Sequence, residues 1–460
     1  MKVLLINIAL RPESPKSLFP IGLGYIATAI DNAGYELEIL DLEALRPTDD
    51  EIENLIKKAK FDVVTLGTIV SAYRYVKKIS KMIRKHHPNA QIIAGNTVAS
   101  SIPEILLNKT EVDIAVFSEG DVTIVELLHV IKKKKSIDAV SGIAYKENGL
   151  IKYTKERTMI QELDNLPFIN YGLWNMEFYL SKCKMNVPEP YPVEYEKLVA
   201  LPMNTARGCP FQCTFCYHAF YGKRYRVRPI QKVCDEIKFL QDKYGLNYVQ
   251  FFDELTLFSK KQAEEFADTI IANKLVFYWV ADCRATLFKD EDLPLLKKLK
   301  KAGCVSLGYS LESADEAILT HMNKKIKLAD FIEQTRVIKK SGIVPVTAVV
   351  LGYPEETVET IKKTFDVCYD AEIYPSTGYL LPQPGTPMYD LAKEMGLIED
   401  DEEYLLKMGD RQDLTINYTS MSRQEMEEIA KTHLRRISDK LNLGLTDVMK
   451  TGHYRQKSKK

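Results

Sequence analysis

Apolar and polar positions along residues 1–135 change period repeatedly. Short runs rich in β-branched residues, VLLINIA, YELEILDL, FDVVTLG, AQIIAG and VDIAVF, read as strands. Between and after them IGLGYIATAIDNAG, DEIENLIKKA, YRYVKKISKMIRKHH, SIPEILL and DVTIVELLHVIKK carry the spacing of amphipathic helices. Strand and helix in succession predict an α/β fold with a parallel, doubly wound sheet. Gly34 marks the stop of the first helix. Residues 136–199 lose the alternation. There SGIAYKENGLIKYT predicts a hairpin turning at Asn148-Gly149, and the Pro- and Tyr-rich remainder predicts a connector that wraps the domains. Alternation returns over residues 200–395, with strands ALPMNTA, YVQFF, VFYWVA, VSLGYSL, VTAVVLG and STGYLL and helices such as PIQKVCDEIKFLQDKY and KKQAEEFADTIIAN. These six βα units are too few to close an eightfold barrel. They predict a partial, open (β/α)6 barrel with chemistry on the loops that follow its strands. Residues 396–460 read as a helical C-terminal region, broken by LLKMGDRQDLTINYTS.

Composition narrows the function class. A chain of 460 residues exceeds what one core usually sustains, which agrees with several domains. With 45% hydrophobic and 27% charged residues it is an ordinary globular sequence. Lys+Arg and Asp+Glu both number 63, so no global field draws nucleic acid or an anionic membrane. The basic run Lys132–Lys135 reads as a solvated helix end and the final KSKK as a frayed terminus. The apolar opening MKVLLINIAL is short and lacks a cleavage-site pattern, so a cytoplasmic location with no membrane span is expected. Eight unevenly spaced cysteines then point to metal or redox chemistry at their one cluster, not to a disulfide framework.

That cluster is ARGCPFQCTFCYHAF, residues 206–220, directly after the first barrel strand. Cys209, Cys213 and Cys216 form a C-x3-C-x2-C pattern with no fourth ligand at zinc spacing. Three thiolates can instead hold an iron-sulfur cluster and leave one iron open to a chelating substrate. The spacing, with Phe215 and Tyr217 flanking the last cysteine, resembles the signature of the radical S-adenosylmethionine (SAM) enzymes. FFDELTLF, Arg284, GYSLES, VVLGYPEET and LPQPGTPMYDLAKEMGLI follow in the order of that superfamily, so the resemblance covers most of residues 200–398. It implies a 4Fe-4S cluster on Cys209, Cys213 and Cys216, with SAM chelating the open iron. It also implies adenine beside Phe215 and Tyr217, the SAM carboxylate on Arg284, ribose or methionine near Glu312 and Ser313, and the adenine passing close to Gly352. For Glu312 and Asp253 the plain alternative is a structural salt bridge at a strand end.

The first domain is similar to cobalamin-binding domains in its loops. GTIVSAYRYV after the third strand, AGNTVAS after the fourth and FSEGD after the fifth offer small and hydroxylated residues at the carboxyl ends of the strands, where open α/β sheets bind ligands. The resemblance implies that Thr68, Ser71, Gly95, Asn96, Thr97 and Gly120 line a cobalamin site. The loop ALRPESPKSLFPIG holds no D-x-H-x-x-G, so no histidine is offered to cobalt from below. A side chain of the Ile69–Tyr73 loop, or water, would take that face.

Together these features identify the chain as a member of the cobalamin-binding radical SAM family. The family implies a methyltransferase acting on an unactivated carbon through a 5'-deoxyadenosyl radical and methylcobalamin. The alternatives are a radical oxidative cyclase or other radical rearrangement, as in the anaerobic porphyrin-ring cyclases, and a carrier of cluster or cobalamin without catalysis. A small molecule or peptide is the expected substrate and a flavodoxin or ferredoxin the expected electron donor. No second cysteine cluster and no basic domain suggest nucleic acid. Cys183, Cys234, Cys283, Cys304 and Cys368 read as small buried hydrophobes, His86-His87 as a helix end, and His218 has only its adjacency to the cluster.

Overall fold

The computed structural model describes residues 1–218 and 225–449, and the terminal KSKK and the end of the cysteine stretch, residues 219–220, lie outside them. The chain divides into two units: Met1–Tyr179 with Gln383–Gly385 and Ile398–Met408, and the remainder. Residues read as a connector, 136–199, are therefore shared between the units.

In the first unit β1 (Lys2–Asn7), β2 (Glu36–Asp41), β3 (Val63–Gly67), β4 (Gln91–Gly95) and β5 (Ile114–Val116) are parallel in the order β2-β1-β3-β4-β5. This is a doubly wound order whose switch point lies between β1 and β3. Gly34, two residues past the first helix, takes φ 74, a left-handed conformation that glycine adopts without a Cβ clash. The hairpin of β6 (Ile143–Glu147) and β7 (Leu150–Tyr153) turns at Asn148-Gly149, with φ 51 and 78, the paired positive values of a type I′ turn. It does more than connect, because β6 pairs antiparallel with β5 and extends the sheet to seven strands. The physical reason is burial: Ile143 and Tyr145 join Ile114, Leu127 and Leu128 in the core, while Lys146 and Glu147 stay exposed.

A later helix, Asp401–Lys407, also belongs to this unit. Its Glu402 accepts from the Tyr73 hydroxyl at 2.8 Å and pairs with Lys77, one turn further along the helix Tyr73–His86. At the carboxyl ends of β1 and β2 the Tyr179 hydroxyl donates to Asp41 at 2.7 Å, while Asn7 Nδ2 donates to Asp41 and Tyr179 at 2.8 and 3.0 Å.

In the second unit β8 (Ala200–Met203), β11 (Tyr248–Phe251), β12 (Tyr278–Asp282), β13 (Cys304–Gly308), β14 (Val344–Leu351) and β15 (Pro375–Tyr379) form one parallel sheet in chain order. β8 and β15 are its edges, so the barrel is open. A small ribbon of β9 (Ala206–Arg207) and β10 (Arg226–Val227) stands apart from it. Val187 and Leu198 of the former connector pack with Ala200 and Tyr248 and close the floor of the barrel. At the β15 edge the Tyr379 amide donates to Arg411 O at 2.7 Å, so the irregular stretch after Lys407 covers an edge that would otherwise template pairing. A Cβ on Gly378 would lie 3.0 Å from that oxygen, which is why the strand carries glycine there.

Candidate functional site

The cysteine loop is held at both ends. It leaves the ribbon at Arg207, turns through Gly208 at φ 86, and re-enters it at Arg226. Beneath it Asp253, after β11, is buried and accepts from the amides of Thr205 and Ala206 at 2.8 and 3.0 Å, from Asn204 Nδ2 at 3.1 Å and from the Thr205 hydroxyl at 2.7 Å. Asp253 is thus a structural carboxylate, engaged by hydrogen bonds where a salt bridge was the plain expectation. Within the loop the Thr214 amide donates to Met322 O at 3.0 Å, its hydroxyl meets Tyr353 at 2.8 Å, and Asn323 Nδ2 donates to Gln212 O at 2.7 Å. Cys213 is buried and Cys209 and Cys216 are partly open. Burial pushes the Cys216 thiol up to about 12 and raises Cys209 as well. Ionising them calls for a local positive charge of the kind that iron supplies.

Arg284, after β12, lays its guanidinium 3.9 Å from the Phe211 ring centroid and brings Nη1 within 4.0 Å of Cys213 Sγ. Its Nε and Nη2 are buried without a hydrogen-bond partner, an open fork beside the thiols that fits a carboxylate. Glu312 takes φ 66 and is bridged to β14 on both sides, through its amide to Ala348 O and from the Val350 amide to its carbonyl, each at 3.0 Å. Its carboxylate receives Lys324 Nζ at 2.8 Å in a nearly buried pair, and that ammonium lies 5.7 Å from the Phe215 ring centroid. Ser313 is buried and its hydroxyl accepts from the Asp315 amide at 3.1 Å, so it serves a local turn. Tyr217 is half-buried beside the last cysteine. Gly352 has φ 89 and its amide donates to the buried Glu356 carboxyl. His218 is also partly buried, with neither ring nitrogen hydrogen-bonded among the described residues and Glu254 3.8 Å away.

The loops of the first unit converge at the carboxyl ends of β3, β4 and β5. The Thr97 hydroxyl accepts from the Val70 amide at 2.8 Å and ties two of them together, while the Thr68 carbonyl accepts from Val98 at 3.2 Å. Asn96 at φ 68 caps the helix that starts at Thr97. Ser71 lies half-buried in the turn Val70–Ala72, and Ile69 before it is exposed. A Cβ on Gly95 would meet nothing within 4 Å, so the space beside it is not filled by protein. Gly120 differs: a Cβ there would come within 2.9 Å of Ile26, so this glycine serves helix packing. Thr65 and Ser118 offer buried hydroxyls with no hydrogen-bond partner, which fits a ligand with polar groups. Neither was singled out from sequence, and neither were Lys324 and Glu356. A lone lysine in NKKIK carries no signal, and a threonine inside a strand looks like any β-branched residue.

Comparison with known proteins finds one known domain family in each unit. The B12 binding domain family matches residues 9–128 and the radical SAM superfamily matches residues 203–368. An uncharacterized methyltransferase of Pyrococcus horikoshii is 28% identical over 81% of this chain and 78% of its own length. An anaerobic magnesium-protoporphyrin IX monomethyl ester cyclase of Cereibacter sphaeroides is 26% identical over 84% of this chain, which spans 62% of that protein. Among solved structures, the radical SAM methyltransferase TsrM of Kitasatospora setae, with tryptophan substrate and a SAM analog bound, superposes with a TM-score of 0.68. It is 18% identical and is matched over 86% of this chain and 77% of its own. The cobalamin-dependent SAM radical enzyme OxsB, with aqua-cobalamin and SAM bound, gives 0.68 at 17% identity, over 97% of this chain and 63% of its own. At those identities the structural likeness bears on the fold alone. Among the described residues no helix is long and apolar enough to cross a membrane. With a B12 binding domain, a radical SAM domain and their loops arranged as above, the chain belongs to the cobalamin-binding radical SAM family, whose cofactors are a 4Fe-4S cluster, SAM and cobalamin.

Proposed function

We propose that this chain is a methyltransferase that places a methyl group on an unactivated carbon. Cys209, Cys213 and Cys216 hold the cluster within residues 200–395, and Thr68, Ser71, Gly95, Asn96 and Thr97 hold cobalamin within residues 1–135. When bound, the cluster supplies the electron that cleaves SAM, and cobalamin carries the methyl group. Arg284 takes the SAM carboxylate in its open fork, Phe215 and Tyr217 border the adenine, and Glu312, held by Lys324, sets the edge of the ribose and methionine site. Gly352 lets the chain pass close to the adenine. The observation that carries the reading is the loop of thiols beside Arg284, whose Nε and Nη2 have no hydrogen-bond partner among the described residues, in a chain whose other unit keeps open space at Gly95.

Product analysis tests it. With substrate and a flavodoxin or ferredoxin as donor, S-adenosylhomocysteine, 5'-deoxyadenosine and methylated product should accumulate in equal amounts. Deuterium at the reacting carbon should move into 5'-deoxyadenosine. Methylated product without that transfer would overturn the radical step. A second reading, oxidative cyclisation, is supported by the likeness to the magnesium-protoporphyrin cyclase. It would yield 5'-deoxyadenosine without matching S-adenosylhomocysteine, and a carrier would yield neither.

Gly95 gives a further check. Because nothing of the protein lies within 4 Å of a Cβ there, Gly95→Leu should leave the fold intact and obstruct only the ligand. Cobalamin affinity should fall roughly tenfold or more, ~1.4 kcal/mol, read from the absorbance retained after gel filtration. Retention equal to wild type would remove Gly95 from the site.

A further inference from the structure

Parallel pairing sets Gln250, Val280 and Ser306 level with one another across the barrel, and Asp282 and Gly308 level with each other two residues further along. These positions face the lumen. The intervening Phe251 and Trp279 turn the other way, onto Phe266 of the covering helix, with ring centroids 5.3 and 5.1 Å away. Gln250 is only 6% exposed. Its Nε2 donates to Asn186 O at 3.3 Å, which leaves Oε1 directed elsewhere, buried and without a partner. The Asp282 carboxylate opens on the lumen and makes no hydrogen bond or ion pair among the described residues. Gly308 makes the room for it, since a Cβ there would stand 2.0 Å from Asp282 Oδ1. Phe252, two residues after Gln250 and just past the end of β11, is 51% exposed.

The chemistry of this set is one-sided. It holds two acceptors and an aromatic face. The Ser306 hydroxyl donates to Val344 O at 2.9 Å, and the Arg284 guanidinium is stacked on Phe211. Burial, and after it the neighbouring Asp253 carboxylate, push the Asp282 carboxyl up to about 6, so a cation beside it would be favoured. A protonated nitrogen can meet a carboxylate, an amide oxygen and a ring face together. We infer that Asp282, with Gln250 Oε1 and Phe252, binds a protonated nitrogen of the substrate, an amine, amidine or guanidine, inside the barrel. The inference rests on the methyltransferase reading above, with the substrate entering the barrel beside the thiol loop, and it adds the class of that substrate.

The test uses the full chain reconstituted with cluster and cobalamin. The probes are butylamine and phenethylamine, each beside its N-acetyl counterpart, and butylguanidine beside butylurea, with binding followed by ligand-observed NMR. The cationic member of each pair should bind at least tenfold more tightly than its neutral partner. Asp282→Asn, which keeps the shape, should erase that preference, and Gly308→Ala, which drives a Cβ into the carboxylate, should weaken amine binding. Asp282→Asn should melt at or above the wild-type temperature, because the carboxylate has no native partner to lose. Equal binding of amine and N-acetyl forms, wild-type amine binding in either variant, or a melting point several degrees lower in Asp282→Asn would overturn the inference. Absorbance recorded on the same samples separates the two readings. Cofactors present without an amine preference refute this inference alone, whereas a preference in a chain that takes up no cofactor refutes the cofactor assignment alone.

Discussion

Replacing any one of Cys209, Cys213 or Cys216 by alanine is expected to abolish both the cluster and SAM cleavage. Each thiolate would anchor a different iron, so no neighbour can stand in for the one removed. The other five cysteines, Cys183, Cys234, Cys283, Cys304 and Cys368, are buried. The clamps on the loop are main-chain and side-chain bonds of Thr205, Thr214 and Asn323, which an alanine at the cysteines leaves in place. Loss of activity would therefore report ligand loss and not misfolding. Anaerobically prepared wild-type protein should be brown with about four irons per chain, and should bleach in air as the exposed iron edge oxidises. Each variant should fall at least a hundredfold in 5'-deoxyadenosine release, about 2.7 kcal/mol in the barrier. Cleavage at the wild-type rate in all three would refute the cluster assignment.

Glu356→Gln should change the pH dependence of stability by several kcal/mol. Glu356 is buried beneath the turn at Gly352 and accepts from its amide, and burial pushes its carboxyl from the ordinary 4.5 up to about 8. A raised value means that the fold favours the neutral acid. Its contribution is full below pH 4.5, declines as pH rises toward 8, and above that is a constant cost. Over that window the wild type should lose about 3–5 kcal/mol relative to the glutamine variant, which keeps an acceptor oxygen but cannot ionise. Melting of the cofactor-free chains should then separate by roughly 6–10 °C between pH 5 and pH 8.5, with the variant the more stable at high pH. A separation that does not vary with pH would show that folding does not raise the Glu356 carboxyl.

The thiol spacing, the succession of strands and helices and the turn at Asn148-Gly149 were all legible in the sequence, because each depends on chemistry or periodicity within a few neighbouring residues. Fold class and cofactors follow from those features. The roles of the residues around the thiols do not. Ser313 and Glu312 are adjacent in sequence, yet one hydroxyl closes a turn while the other side chain forms a nearly buried pair with Lys324. Asp253 looks like a catalytic carboxylate until its four donors are seen. The hairpin read as part of a connector is an added sheet edge, since β6 reaches β5 only through pairing across the intervening helix.

Local pattern encodes an α/β chain of two strand-helix runs, with C-x3-C-x2-C on the loop after a first barrel strand. Tertiary structure alone decided which polar groups have partners. Among the described residues it left Arg284 Nε and Nη2, Gln250 Oε1 and the Asp282 carboxylate without hydrogen-bond partners, engaged Asp253 and Ser313, and brought Glu402 back to Tyr73 and Lys77 across more than three hundred residues. The physical reason is that burial and hydrogen-bond satisfaction are properties of the assembled surroundings, and single residue types in a sequence carry no record of them.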